Sequence, residues 1–234
     1  MDYSQFLALK QEIGLLIVFL LVFLYDTFAP RKAQSSLPII STLLMLVLTL
    51  WGFSPCVKAD AAAFAGMYVT SPVMVAIKNI LNVGVVIVLI QSIKWANSEF
   101  TSVRRGEFYE LILLTLLGMY FMISSRHFLM FIIGLETASL PLCALVAFDK
   151  NRYESHEAAI KYVLTAVFSS AILLMGLSYV YGLTGSLYYA DIAVSCYSNM
   201  GVMMVVALAF VMAGFGFKIS LVPFHLWTAD VYQG

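Results

Sequence analysis

Residues 214–234 read GFGFKISLVPFHLWTADVYQG. The stretch begins as the end of an apolar run, places Lys218 inside that run, and follows it with Ser220, Pro223, His225, Trp227 and Asp230. A lysine at the middle of a bilayer costs about 2.5–3.5 kcal/mol on insertion scales, so such a charge marks a place where it acts or where a partner offsets it. A helix proline frees the carbonyl four residues back, here Ile219. In lipid, that freed backbone is tolerated only where protein or water satisfies it. The stretch therefore predicts a broken membrane helix with a functional charge beside the break.

Working outward, the whole chain has the composition of a membrane protein. It is 62% hydrophobic and 11% charged, with a mean hydropathy of +0.94, whereas soluble domains are about 25% charged. Seven apolar segments, near 13–28, 37–53, 73–95, 109–124, 128–148, 158–181 and 200–222, have lengths suited to a hydrocarbon core of about 30 Å. Period-two alternation is absent, which argues against a transmembrane barrel. The expected architecture is an all-α polytopic helix bundle of about seven transmembrane helices, the seventh broken. Residues 59–70 read as a mildly apolar interfacial stretch and residues 182–198 as a loop. The first apolar run ends in Asp26 and Pro30-Arg31-Lys32 without a small-residue cleavage site, so it reads as a retained helix.

Lysine and arginine set the expected orientation. Arg31, Lys32, Lys94, Arg104, Arg105, Lys150 and Arg152 fall on one side, and Lys10, Lys58 and Arg126 on the other. The N-terminus is thus expected outside. Net charge is zero and there is no basic patch, so nucleic acid is not an expected partner. Cys56, Cys143 and Cys196 are far apart and form no metal or redox motif. No P-loop, dinucleotide fingerprint, zinc motif or nucleophile elbow is present.

The ionisable residues left inside apolar segments are Glu136, Lys161, Lys218 and Lys78. Glu136 repeats the Lys218 arrangement, with Pro141 five residues on and Ser139 on its face. Glu136 and Lys218 read either as a structural ion pair between helices or as a wet, adjustable site. A purely structural pair gains little over an apolar one once desolvation is included. Lys161 lies on a stripe of Glu157, Thr165 and Ser169 spaced by four, which places them on one helix face. It is a candidate proton relay, with pairing to Glu157 or snorkelling to the surface as the local alternatives. His225, in the broken stretch, is a candidate proton-path residue because imidazole titrates near neutral pH; the alternative is capping or packing the break. Lys78, in the first turns of its segment, is expected to snorkel. His127 and His156 lie at helix ends.

At Lys218 the sequence resembles a family. Lys218-x4-Pro223-x-His225, continued by His225-Leu-Trp-Thr-Ala-Asp-Val-Tyr-Gln-Gly234, is similar to the seventh-helix signature of the antiporter-like membrane subunits of respiratory complex I (NADH-quinone oxidoreductase), nearest to the chain N, mitochondrial chain 2, type. Ile133-Gly-Leu-Glu136 with Leu140-Pro141-Leu142 resembles the fifth-helix glutamate motif, and Glu157-Ala-Ala-Ile-Lys161-Tyr162 the start of the sixth helix. Ala229 stands where the family usually has proline. The resemblance implies three leading helices (1–100) and the first antiporter-like repeat (101–234) of an inverted-repeat fold, with an eighth helix and a second repeat beyond Gly234. It implies proton translocation through Glu136, Lys218, Lys161 and His225, coupled to electron transfer from NADH to quinone. No cofactor is expected in this chain; flavin and iron–sulfur clusters would belong to partner subunits, and quinone would bind elsewhere in the complex. The expected partners are the other membrane-arm subunits and the bilayer, and the expected location is a bacterial inner membrane. An Mrp-type cation/proton antiporter subunit is the alternative.

Overall fold

The computed structural model describes residues 5–30, 33–53, 61–97, 104–198 and 200–233. Arg31, Lys32, Cys56, Lys58 and Gly234, used in the reading above, lie outside them. The helices are α1 (Gln5–Ala8), α2 (Lys10–Phe28), α3 (Leu37–Gly52), α4 (Pro72–Ala96), α5 (Arg105–Ile123), α6 (Phe128–Val146), α7 (Tyr153–Thr184), α8 (Tyr189–Ser198), α9 (Val202–Lys218) and α10 (Leu226–Gln233). Each of the seven apolar segments is a helix. Six spans are long and apolar enough to cross a membrane, the second of them including the 3-10 turn Ala33–Ser36 that leads into α3, and α9 is a shorter apolar helix.

The chain divides into two compact units. One comprises residues 1–125 and 130–141, the other residues 126–129 and 142–234. In the first, α2 packs on α3 and α5, and α3 on α4. The core is Leu15, Val18, Val22, Met45, Leu48, Leu89, Leu113 and Leu116, with the tyrosines Tyr109 and Tyr120. Polar side chains are buried with them, Ser41, Thr42, Lys78, Asn79 and Asn82 among others, while Ile80, Val73, Leu43 and Val47 point outward. Polar groups inside and apolar groups outside suit a helix bundle solvated by lipid, where unsatisfied polar atoms must turn inward. Ser41 and Thr42 both donate to the Pro38 carbonyl, which satisfies each hydroxyl within its own helix.

Starts and stops follow local chemistry. Ser71 caps α4 by accepting from Met74 N at 3.3 Å, with Pro72 at the first helical position. His127 caps α6, its Nδ1 accepting from Leu129 N at 3.1 Å. Partial burial holds the His127 imidazole below its ordinary value, which keeps that acceptor lone pair available. In the second unit α7 ends on Gly185, whose φ of 72° is the left-handed cap conformation.

Two stretches differ from the sequence reading. Residues 61–70, inside the stretch read as interfacial, include a two-stranded antiparallel hairpin, Ala61–Ala63 (β1) with Tyr68–Thr70 (β2), a small element in the all-α frame. Val69 N donates to the Ser124 carbonyl at 2.9 Å, which ties the hairpin to the end of α5. Residues 189–198, expected as loop, form α8. Ser186 organises its start by accepting from Tyr188 N and donating to Asp191 Oδ2 at 2.6 Å.

Helix contacts depend on small residues at the crossings. A Cβ on Gly118 would lie 2.4 Å from Ala138 N and 2.5 Å from the Gly134 carbonyl, so α5 and α6 touch backbone to backbone there. Gly118→Ala is therefore expected to destabilise the folded protein by about 1–3 kcal/mol. Gly84→Ala, where a Cβ meets nothing within 4 Å, should be neutral or mildly stabilising. Thermal unfolding of the two purified variants in detergent checks the contrast.

Candidate functional site

In the second unit α7 and α9 lie against each other, and α10 returns onto α7. The α7–α9 approach is close because Gly214 faces Leu173, where a Cβ would lie 2.7 Å from the Leu173 Cβ. Ser169 Oγ donates to the Gly214 carbonyl at 2.9 Å, so the polar stripe read on α7 reaches α9 one turn before Lys218.

The break after Lys218 is built by backbone hydrogen bonds. Ser220 has φ 57°; Ser220 N donates to the Phe217 carbonyl at 3.1 Å and Leu221 N to the Gly216 carbonyl at 2.7 Å. This pair of bonds is the Schellman arrangement, with a serine where glycine is usual. The expected Pro223-weakened helix through residue 222 is thus corrected: α9 stops at Lys218, and Pro223 lies in the connecting turn. Lys218 is the last helical residue, where the helix dipole favours a cation. Its side chain is half-buried and its ammonium nitrogen is shielded from solvent.

Lys161 is held by two carboxylates. Its Nζ lies 2.7 Å from Glu157 Oε1 and 2.6 Å from Asp230 Oδ2. The Glu157 contact is the i,i+4 pair read in the sequence, whereas Asp230 arrives from α10. The three line a polar cavity of about 130 Å³ together with Glu154, Ala158 and Gln233. Beside it Trp227 packs against Tyr162 at 5.3 Å and stacks on Phe217 at 5.8 Å, with 13° between the Trp227 and Phe217 planes. Thr228 Oγ1 donates to Ser220 Oγ at 2.7 Å. His225 is exposed in the turn before α10, and its carbonyl accepts from Thr228 N.

Lys161, Lys218, His225 and Asp230 thus belong to one unit, bounded by α7, the end of α9 and α10. Glu136 belongs to the other unit. It lies mid-way along α6, half-buried, with Ser139 Oγ donating to its Oε2 at 3.4 Å. Pro141 sits inside α6, which continues past it to Val146. The Thr137 carbonyl therefore lacks its usual helical donor, so the two proline motifs give a continuous helix in one case and a break in the other.

The sequence reading missed two features. Asp230, which the sequence shows only as part of the stretch after Lys218, is a partner of Lys161, and spacing alone cannot place a side chain from α10 on α7. Lys78 does not snorkel. It is 0% exposed, its Nζ lies 2.5 Å from Glu12 Oε1, and it donates to Ser124 Oγ at 2.6 Å and Tyr68 Oη at 3.3 Å. The signal lay in Lys78, Asn79 and Asn82, which put polar atoms on one face of an apolar segment facing inward.

The family model described as NADH:quinone oxidoreductase/Mrp antiporter, TM, matches residues 125–234. The whole chain is 46% identical to NADH-quinone oxidoreductase subunit N of Azobacteroides pseudotrichonymphae and 44% identical to that of Phocaeicola vulgatus, covering 48% of each. Among solved structures, a chain in respiratory complex I from Thermus thermophilus has a TM-score of 0.71 at 30% identity, over 96% of this chain and 47% of that one. A chain of membrane-bound sulfane sulfur reductase, an archaeal respiratory membrane complex, shares the fold with a TM-score of 0.76 at 24% identity, over 98% of this chain and 48% of that one. The chain spans about half the length of the curated relatives it matches. Along its full length the chain is similar to these N subunits of NADH-quinone oxidoreductase, and its fold and apolar spans match those of a chain in respiratory complex I.

Proposed function

We propose that this chain is part of a proton-translocating membrane-arm subunit of NADH:quinone oxidoreductase, moving protons while electrons pass from NADH to quinone in other subunits. The observation that carries this reading is Lys218, a shielded ammonium at the end of an apolar helix that breaks immediately after it. An amine in such a place can change its protonation state when its surroundings change, because burial opposes the charge and the helix terminus favours it.

In the proposed path Lys161 relays protons between the Glu157–Asp230 cavity and Lys218, with His225 at the turn as a further carrier. Glu136 and Lys218 exchange between paired and separated states, and the released amine yields its proton along the membrane axis. Support for the Glu136 role comes from the order of the glutamate, sixth-helix and Lys218 motifs in the sequence. The division at residue 100 into leading helices and a first antiporter-like repeat belongs to the same proposal. So do the outward N-terminus, a bacterial inner membrane, a chain without cofactors, and partners carrying flavin, iron–sulfur clusters and quinone. The matching family model also spans Mrp antiporters, so a cation/proton antiporter subunit is the second reading. Co-purification with redox partners separates the two.

Inside-out vesicles carrying Lys218→Ala in the full-length subunit test the path. NADH-driven acidification should fall about tenfold or more, as when a proton-transfer group is removed, with the complex still assembled. Acidification and turnover at the wild-type level would make Lys218 a packing charge. Asp230→Asn leaves Lys161 with Glu157 alone and should slow acidification about two- to threefold. Glu157→Gln, which keeps the α10 partner, should slow it less. Equal effects in the two variants would remove Asp230 from the relay.

A further inference from the structure

A second buried charge site lies outside this path, in the first unit. Glu12 of α2 is 3% exposed and Lys78 of α4 is 0% exposed. Around their 2.5 Å contact stand Ser124 at the end of α5 and Tyr68 on β2, both accepting from Lys78 Nζ. Thr70 Oγ1 donates to Tyr68 Oη at 3.2 Å. The Tyr68 and Tyr120 rings lie 5.5 and 5.4 Å from Lys78 Nζ, within cation–π range. One turn along α4 from Lys78, Asn82 accepts a short hydrogen bond from Tyr120 Oη.

A pair whose only task was to hold helices would close its hydrogen bonds, since buried unsatisfied groups cost about 1–3 kcal/mol each. This one does not. Among the described residues, Glu12 Oε2, Gln11 Oε1 and Asn82 Nδ2 are buried without a hydrogen-bond partner. Glu12 Oε2 is an open acceptor on the carboxylate itself and Asn82 Nδ2 an open donor one turn along α4 from Lys78, polar lining of the kind that retains water. Burial pushes the Tyr68 phenol above its ordinary value, so it remains a neutral donor and acceptor beside the pair.

We propose that Glu12 and Lys78, with Tyr68, Ser124 and Asn82, form a second, hydrated proton-exchange site in the leading helices. The step is a transfer across the short contact. An N–H bond of the Lys78 ammonium breaks and an O–H bond forms on Glu12, leaving a neutral amine and a carboxylic acid. Neutral partners cost less to hold in a low-dielectric interior than separated charges. The carboxyl group then turns and its O–H proton passes to water, leaving the carboxylate, and the amine takes the next proton; no oxidant or reductant is needed. By the proposed orientation the site lies at the outward ends of α2, α4 and α5, where a proton would leave.

This inference rests on the proton-translocation reading, so the test carries a control for that reading. Full-length subunits bearing Glu12→Gln with Lys78→Met are compared with Lys218→Ala in inside-out vesicles, following protons moved per NADH oxidised and the amount of assembled complex. The neutral pair removes the titrating groups at similar volume and should assemble while proton yield falls at least about twofold. Glu12→Asp keeps both charges, withdraws the carboxylate by one methylene, and serves if the neutral pair fails to assemble. Its yield should fall as well. Wild-type yield in any assembled variant, with Lys218→Ala defective, overturns the second site alone. Wild-type yield in Lys218→Ala too overturns both readings.

Discussion

An ammonium group in hydrocarbon must have a counter-charge, a dipole or water, and the rest of this structure is arranged around that requirement. Three lysines meet it in three ways. Lys78 is wholly enclosed and takes a carboxylate, a hydroxyl, a phenol and two aromatic faces. Lys161 is about 42% exposed and takes two carboxylates, in surroundings where screening reduces each contact to a small contribution. Lys218 takes the end of its own helix, where the backbone dipole favours a cation. Enclosure makes removal of one Lys78 partner costly, because the remaining charge stays buried. The Lys161 cluster can rearrange cheaply. Lys218 lies between these extremes, half-buried at a helix end.

The helical frame was legible because a lipid-facing helix must be apolar over about 20 residues. Seven such segments appear in the sequence, and each holds one of the helices of the structure. The Glu157–Lys161 contact was legible for a similar reason, since spacing by four fixes a shared face. The break after Lys218 was legible as an event but not in its chemistry. Proline drew the eye, whereas the stop is made three residues earlier by Ser220 in a left-handed conformation that serine adopts less readily than glycine.

What escaped the sequence has one physical origin: contacts between residues far apart in the chain. Glu12 and Lys78 are separated by 66 positions, and Lys161 and Asp230 by 69. No periodicity carries that information. Snorkelling was a sound expectation for a lysine near a segment end, but it assumes that the side chain faces lipid. Asn79 and Asn82 on the same apolar segment argue for an inward polar face, since amides cannot snorkel. The hairpin at residues 61–70 escaped because its first strand is alanine, a weak strand former, and tertiary contacts from Ser124 and Ala8 hold its second strand in place.

The short helix α10 shows how the two lysines of the second unit could be linked physically. Eight residues cannot sustain a helix in isolation, and none of them is buried. Its position therefore depends on a few contacts: Asp230 on Lys161, Trp227 between Tyr162 and Phe217, and Thr228 on Ser220. Two of these reach Phe217 and Ser220, within two residues of Lys218, and one reaches Lys161. A change of charge at Lys161 alters the Asp230 contact, and with it the balance holding Trp227 and Thr228 against the end of α9. By contrast, α9 is anchored along its length by close packing on α7 and by the Ser169 bond to Gly214. Weakly held elements open first, so the adjustable part of this unit is the turn after Lys218 and the helix that follows, not the helix that carries the charge.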